Sequence, residues 1–320
     1  MRVVLGFVLM LLGQVALAGG VNAAWPDHPV KIIVPFPAGG STDIVAREVA
    51  QGLAEKFGQP FIVENRAGAG STAGTAFVAR SDGDGYTFLI TSSHFSIVPS
   101  LYSLQYDPQK DIKGVSLLVN IPVILVANPN VPASTVKDLI AYDKSNPGKL
   151  NFGSSGAGGI NHLSGELFNG MAGTKLVHIP YKGTAPAMQD LIAGNVQLMF
   201  DAISTSLPNI RAGLIKPIAW TGAKPSAVIP NLPTIAASGI PGYDTTSWLA
   251  MFAPASTPSD IVEKVSDAAK VILNRTDVKA RQEAQGVEIV ASSPKELDAT
   301  VAREVSRWSE LIKKLDLKIE

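Results

Sequence analysis

The chain has 320 residues, enough for two domains with cores of their own, and its 27 basic and 27 acidic residues cancel. Balanced charge removes the long-range field that would draw the protein to nucleic acid or to an anionic lipid surface. With no cysteine, neither a disulfide nor a lipid-bearing cysteine is available.

The first residues differ from the rest. Arg2 precedes an apolar run, Val3 to Leu12, broken only by Gly6, and small residues continue through Ala23 and Ala24. Val21-Asn22-Ala23 meets the small-residue cleavage rule, with Ala16-Leu17-Ala18 as a less favoured site. The run is too short to span a bilayer and the chain then turns polar. Residues 1–23 therefore read as a secretory signal peptide, with an uncleaved anchor as the alternative. The mature chain is expected to be soluble and periplasmic, with no direct membrane insertion.

After Trp25 strand and helix patterns alternate. Val30 to Val34 is an apolar strand that runs through Pro35-Phe36-Pro37-Ala38-Gly39-Gly40 into a helix from Thr42 to Phe57. Val45, Val49, Leu53 and Phe57 form its stripe, and Gly58 follows as the C′ residue. Phe61 to Glu64 is a short strand, Ser71 to Ala79 a helix, and Tyr86 to Thr91 a strand ending at Ser92, Ser93 and His94. Val115 to Val119 and Pro122 to Ala127 read as two strands in quick succession. A second series then begins with a helix capped by Ser134 and a strand from Leu150 to Gly153. The loop Ser154 to Gly159 leads into a helix from Asn161 to Met171, repeating the strand–glycine turn–helix arrangement.

Lys175 to Ile179, Val196 to Phe200 and Ile218 to Thr221 are further strands, with helices from Ala185 to Ala193 and from Ser204 to Ala212. Trp248 to Ala253 is another strand. Thr257-Pro258-Ser259-Asp260 and Ser293-Pro294-Lys295-Glu296 each place a hydroxyl at the N-cap, proline at N1 and an acid at N3, and so open two helices. Alternation of this kind implies an α/β protein with a parallel-type sheet and helices on both faces. Two glycine turns in separate series imply two such lobes.

The first glycine turn carries the clearest chemistry. Gly39 and Gly40 leave backbone N–H groups uncovered at the positive end of a helix, beside the Ser41 and Thr42 hydroxyls, which makes an anion site. The plainer alternative is a capped turn with Ser41 or Thr42 as N-cap. A side chain at Gly40 would occupy the anion's place or force a positive φ. Asp43 would repel an anion unless it turns away or is itself hydrogen-bonded, and a helix-start role is expected for it. Asp201 ends an apolar strand at the mouth of the sheet, where it either meets a ligand or caps the following helix. His94 and His162 are each either ligand donors or buried rings bonded within the core, and Lys182 is either a partner for a ligand carboxylate or, more plainly, an exposed lysine beside a turn.

Catalytic patterns are weak. Ser154 or Ser155, His162 and Asp201 can be written as a triad, but no nucleophile elbow is present. Gly68-Ala69-Gly70-Ser71-Thr72-Ala73 lacks the acid a dinucleotide would need downstream, and no Gly-Lys-Ser/Thr phosphate loop or His-Glu-x-x-His metal motif occurs. No cofactor or metal is expected.

Several stretches together resemble one family. They are Trp25-Pro26-Asp27, Val34-Pro35-Phe36-Pro37-Ala38-Gly39-Gly40-Ser41-Thr42-Asp43, Val63-Glu64-Asn65-Arg66-Ala67-Gly68-Ala69-Gly70, Asp84-Gly85-Tyr86-Thr87, Asn146-Pro147-Gly148-Lys149-Leu150, His162-Leu163-Ser164-Gly165-Glu166-Leu167-Phe168 and Pro180-Tyr181-Lys182-Gly183. The set resembles the periplasmic solute-binding proteins of tripartite tricarboxylate transporters, the Bordetella uptake gene family, over nearly all the mature chain.

The resemblance implies a two-lobed periplasmic binding protein fold, type II-like, with the ligand cleft between the lobes. The first lobe would comprise residues 24–122 and 248–320, and the second residues 123–247. It further implies that Phe36, Ala38, Gly39, Ser41 and Thr42 take one carboxylate of a small organic acid. Ser154, Ser155 and Gly156 would face it from the second lobe, with Thr184 and Asp201 near the cleft. Gly40, Ser92, Ser93 and His162 complete the expected ligand-binding set. The partners implied are a mono- or dicarboxylate and inner-membrane transporter subunits, with the receptor itself a monomer. An extracytoplasmic sensory module presenting its ligand to a signalling partner is the alternative, and an exported hydrolase is a third.

Overall fold

A computed structural model of the protein describes residues 25–314. The expected signal peptide, residues 1–23, lies outside them. The chain begins with β1 (Val30–Val34), α1 (Ser41–Phe57), β2 (Phe61–Asn65), α2 (Thr72–Ala79), β3 (Thr87–Ser92) and the short α3 (His94–Ile97). The middle holds β4 (Ile112–Ala127), α4 (Val136–Ser145), β5 (Asn151–Ser154), α5 (Ile160–Ala172), β6 (Val177–Pro180), α6 (Thr184–Ala193), β7 (Leu198–Ala202), α7 (Ile203–Arg211) and β8 (Lys216–Trp220). β9 (Thr246–Pro254), α8 (Ser259–Leu273), α9 (Thr276–Ala284), β10 (Glu288–Ile289) and α10 (Pro294–Lys314) complete it.

The strands lie in the order β2-β1-β3-β9-β4-β7-β5-β6, with β8 and β10 also paired to β4. β1, β2 and β3 are mutually parallel, as are β5, β6 and β7. Between these sets β9 and β4 run antiparallel to their neighbours. The sheet is thus mixed rather than parallel throughout. The two parallel sets stand on either side of β9 and β4, in line with the two expected lobes joined by crossing strands.

The largest departure from the sequence reading is β4. The two expected strands form one strand of 16 residues. As far as Pro122 it pairs with β9, and from Val123 onward it pairs with β7 and β8. Pro122 lacks a donor and would break an ordinary central ladder, but here it stands where the strand changes partners, so the missing N–H is tolerated.

Helix starts follow local chemistry in some places and not in others. At α10 the expected capping box forms: Ser293 N and Oγ both donate to Glu296 Oε2 at 2.8 Å. At α8 the helix begins one residue later than expected, the Pro258 carbonyl accepts from Ile261 and Val262, and Thr257 Oγ1 is buried without a partner. α4 is capped by Thr135, whose hydroxyl accepts from Asp138 N, and not by Ser134. Gly58 ends α1 with φ 72°, as its position after the apolar stripe implies.

Apolar faces of both lobes meet in continuous cores. Val45, Val49 and Leu53 of α1 pack with Val265 and Ile272 of α8 against β1 and β3. Leu53 is fully buried, and truncation there to alanine would cost about 2–5 kcal/mol. α10 spans the lobes: Leu297 and Val301 join the first lobe's core, and Trp308 and Ile312 join a cluster with Leu163, Leu167 and Tyr243 of the second. Among the described residues no helix is long and apolar enough to cross a membrane.

Candidate ligand cleft

Where the lobes face each other they enclose a cavity of about 110 Å³. Three helices begin at its wall. α1 brings Gly40, Ser41 and Thr42; α5 brings Ile160 and Asn161; α6 brings Gly183, Thr184 and Ala185. Each has a glycine in the N-cap place (Gly40, Gly159 and Gly183) and none has a side-chain cap. At α5 and α6 no acid stands in the first turn either, so their partial positive charge is left for whatever occupies the cavity, while at α1 Asp43 offsets part of it. Thr42 is only 5% exposed, lines the cavity, and its hydroxyl has no hydrogen-bond partner among the described residues.

The turn before α1 is shaped from behind. Asp43 points away from the cavity: Oδ2 accepts from Gly39 N and from Arg47 Nε, each at 3.0 Å, and Oδ1 accepts from Asn65 Nδ2 at 2.9 Å. Asn65 Nδ2 also donates to the Phe36 carbonyl. Burial opposes the Asp43 charge, but the bonds from Arg47, Gly39 and Asn65 outweigh it and hold the carboxyl below its usual range. Gly39 adopts φ 84°, so the positive φ belongs to it. Gly40 has an ordinary φ of −80°, so of the two expected effects of a side chain there the positive φ does not apply. A β-carbon at Gly40 would meet only the Pro37 carbonyl, at 3.9 Å.

The second lobe's loop is tied by neutral groups. Ser154 is fully buried, and its Oγ lies 2.6 Å from His178 Nε2 and donates to the Gly156 carbonyl. Gly156 N donates back to Ser154 Oγ. Gly158 N donates to His162 Nδ1, and the rings of His162 and His178 stack with centroids 3.8 Å apart. Burial holds His162 neutral, with its pKa lowered to about 4, and burial together with the neighbouring ring lowers His178 to about 3. Ser155 Oγ donates to Asn161 Oδ1, and Asn161 Nδ2 donates to the Phe200 carbonyl.

Of the residues expected to bind, Phe36, Ala38, Gly40, Ser41, Thr42, Ser92, Ser155, Thr184 and Asp201 line the cavity. Gly39, Ser93, Ser154, Gly156 and His162 stand outside its lining, each with a hydrogen bond to protein. Gly39 donates to Asp43, Ser93 Oγ lies 3.4 Å from Ser247 Oγ, and the other three belong to the loop network just described. Asp201 is fully buried at the cavity wall, and it does not cap α7, whose start has no side-chain cap bond. Its Oδ2 accepts from the Thr205 and Ser206 hydroxyls at 2.6 and 2.8 Å, and Oδ1 is 3.4 Å from Asn161 Nδ2. Burial raises its pKa, against the pull of those hydroxyls. The serines, His162 and Asp201 are each tied elsewhere, and no Ser–His–Asp relay connects them.

Comparison with known proteins fits this geometry. Residues 45–317 match the model of the tripartite tricarboxylate transporter family receptor. The chain belongs to that family. It is 33% identical to protein BugT of Bordetella pertussis over 320 residues, covering 99% of this chain and 98% of that one. A solved R. palustris protein with adipate is similar at 36% identity and TM-score 0.89, covering 92% of this chain and 99% of the other. MatC from Rhodopseudomonas palustris with bound malate is 32% identical, TM-score 0.85, over 90% and 99% of the two chains. The likeness extends to the structure of periplasmic binding protein BugD, at 36% identity and TM-score 0.87, covering 92% of this chain and 100% of that one. The fold is the two-lobed one of periplasmic binding proteins.

Within this receptor fold several lining residues carry little signal in the sequence. Asn161 reads from sequence as a helix start, and its bracing of the loop through Ser155 and the Phe200 carbonyl depends on the fold. Ser247 and Val123 come from the crossing strands, and no local pattern marks them. Lys182, expected as an exposed lysine, is exposed and also borders the cavity. Near it the lobes meet, since a β-carbon at Gly183 would lie 3.5 Å from Pro37 Cγ.

Proposed function

We propose that this protein is a periplasmic receptor that captures a small organic acid, a mono- or dicarboxylate, between its lobes. It delivers the acid to an inner-membrane transporter of the tripartite tricarboxylate type and carries out no catalysis. The observation that carries this reading is the convergence of three uncapped helix starts on one cavity. Backbone N–H groups and hydroxyls on rigid turns bind a carboxylate reversibly, and water bridges what direct contacts miss. Adipate and malate in two similar proteins support the choice of ligand class.

Gly40, Ser41 and Thr42 hold one carboxylate in this reading, with Phe36 and Ala38 beside it. Ser155 and Thr184 face it from the second lobe. The lobes divide at residues 122/123 and 247/248, a division supported by the change of partners along β4. With residues 1–23 removed on export, the mature chain works as a soluble monomer.

Deletion of the gene tests the delivery step. Loss of uptake of, and growth on, one organic acid is expected. Unchanged uptake together with loss of acid-dependent gene expression would assign the same cleft to a signalling partner instead.

A further inference from the structure

One buried side chain of the cavity wall reaches across to the second lobe. His94 lines the cavity on α3, directly after β3, and is 6% exposed. Its Nδ1 lies 2.9 Å from Ser92 Oγ, and Phe36 meets the ring edge-on with centroids 5.2 Å apart. The far side of the ring rests on Gly159 of the second lobe. A β-carbon at Gly159 would stand 2.2 Å from Nε2 and 2.5 Å from Cε1. Gly159 has φ −85° and ψ 167°, a conformation open to any residue, so its missing side chain makes room for the imidazole and not for the backbone.

Ser92, Phe36 and Gly159 thus fix the ring, and the exposed Lys182 borders the same cavity. The cavity beside the ring measures about 110 Å³, so the volume the imidazole takes is a large part of what a ligand chain could use. Burial lowers the His94 pKa to about 4, so at neutral pH the ring is uncharged and acts by occupying space rather than as a cation.

We propose that His94 is a specificity-determining residue that limits the length of the acid the cleft accepts. The ring takes the volume that the far methylenes of a longer chain would need, and acids of about succinate size are selected by exclusion. This assignment rests on the reading of the cleft as a carboxylate site.

The test is titration calorimetry with succinate, adipate and suberate on the mature protein, His94→Ala and His94→Phe, with circular dichroism to establish folding. The parent is expected to bind succinate at least about tenfold more tightly than adipate, and His94→Ala to lower that ratio at least about tenfold. His94→Phe, which keeps the ring volume but not the bond to Ser92, is expected to retain the parent's preference. Should His94→Ala fail to fold, His94→Asn shortens the side chain, keeps a polar group for Ser92, and is read by the same ratio. An unchanged ratio in a folded, binding His94→Ala or His94→Asn overturns the proposal, as does a His94→Phe that behaves like His94→Ala. Binding of none of the three acids by the parent also overturns the proposal, while binding of a monocarboxylate such as butyrate by that same parent would leave the carboxylate reading in place.

Discussion

In the first lobe the turn before α1 is held by charge: Asp43, turned back from the cavity, takes bonds from Gly39, Asn65 and Arg47. In the second lobe the loop before α5 is held by neutral groups, Ser154 with His178 and Gly158 with His162. The sequences look alike, strand, glycine turn and helix, yet the side chains face different ways. The first turn presents Ser41 and Thr42 to the cavity and keeps its carboxylate behind. The second uses Ser154 and His162 as internal bracing and presents chiefly Ser155 and the start of α5. A glycine-rich turn next to a helix thus marks where an anion could lie, but which of its hydroxyls are available depends on what the strands behind it require.

Substitution at the two turns separates these roles. Gly40→Val places a side chain in the cavity without backbone strain, because φ is −80° and only the Pro37 carbonyl is near. Loss of two charge-assisted hydrogen bonds, each on the order of 1.5–3 kcal/mol, weakens acid binding at least about a hundredfold in a folded protein. Ser154→Ala should do the reverse: it removes a buried brace and costs about 1–3 kcal/mol of stability, while affinity changes by less than about fivefold. Calorimetry and thermal melts on both variants check this pair. Equal effects of the two on binding would mean that the turns are equivalent after all.

A smaller effect follows from the titrating groups. The folded-state pKa values of His94, His162 and His178, about 4, 4 and 3, lie below the ordinary histidine value of 6.5. Between pH 6.5 and about 4 the unfolded chain takes up protons that the folded chain refuses, so stability falls as pH falls. The melting temperature is expected to drop by on the order of several degrees per pH unit across that window. The first lobe's brace should outlast the second's, because the Asp43 pKa is lowered and its charge persists to more acid conditions. A melting temperature that stays flat from pH 6.5 to 5 would contradict the neutral, buried state of these rings.

Much of this was legible in sequence because it is local. The stripe Val45, Val49, Leu53 and the following Gly58 define α1 from end to end, and Ser293 with Glu296 starts α10. What escaped is non-local. Pro122 looks like a break until its place at the change of partners along β4 is known. α9 leaves little trace in sequence because it buries only Val278 and Gln282 and so has almost no apolar stripe. Asp201 at the end of an apolar run looks solvated, and only the approach of Thr205, Ser206 and Asn161 explains how a carboxylate sits there fully buried. His94 is likewise ambiguous from its neighbours in sequence, and its meaning comes from Gly159, 65 positions away.

The claim at the centre of this account is that helix starts and hydroxyls recognise the negative charge of a carboxylate. Its most direct measurement is titration calorimetry of the mature protein with succinate and with succinamide, which has the same chain but no charge. Binding of succinate with no measurable binding of succinamide is the predicted result. Equal affinity for the two, or binding of the amide alone, would contradict it.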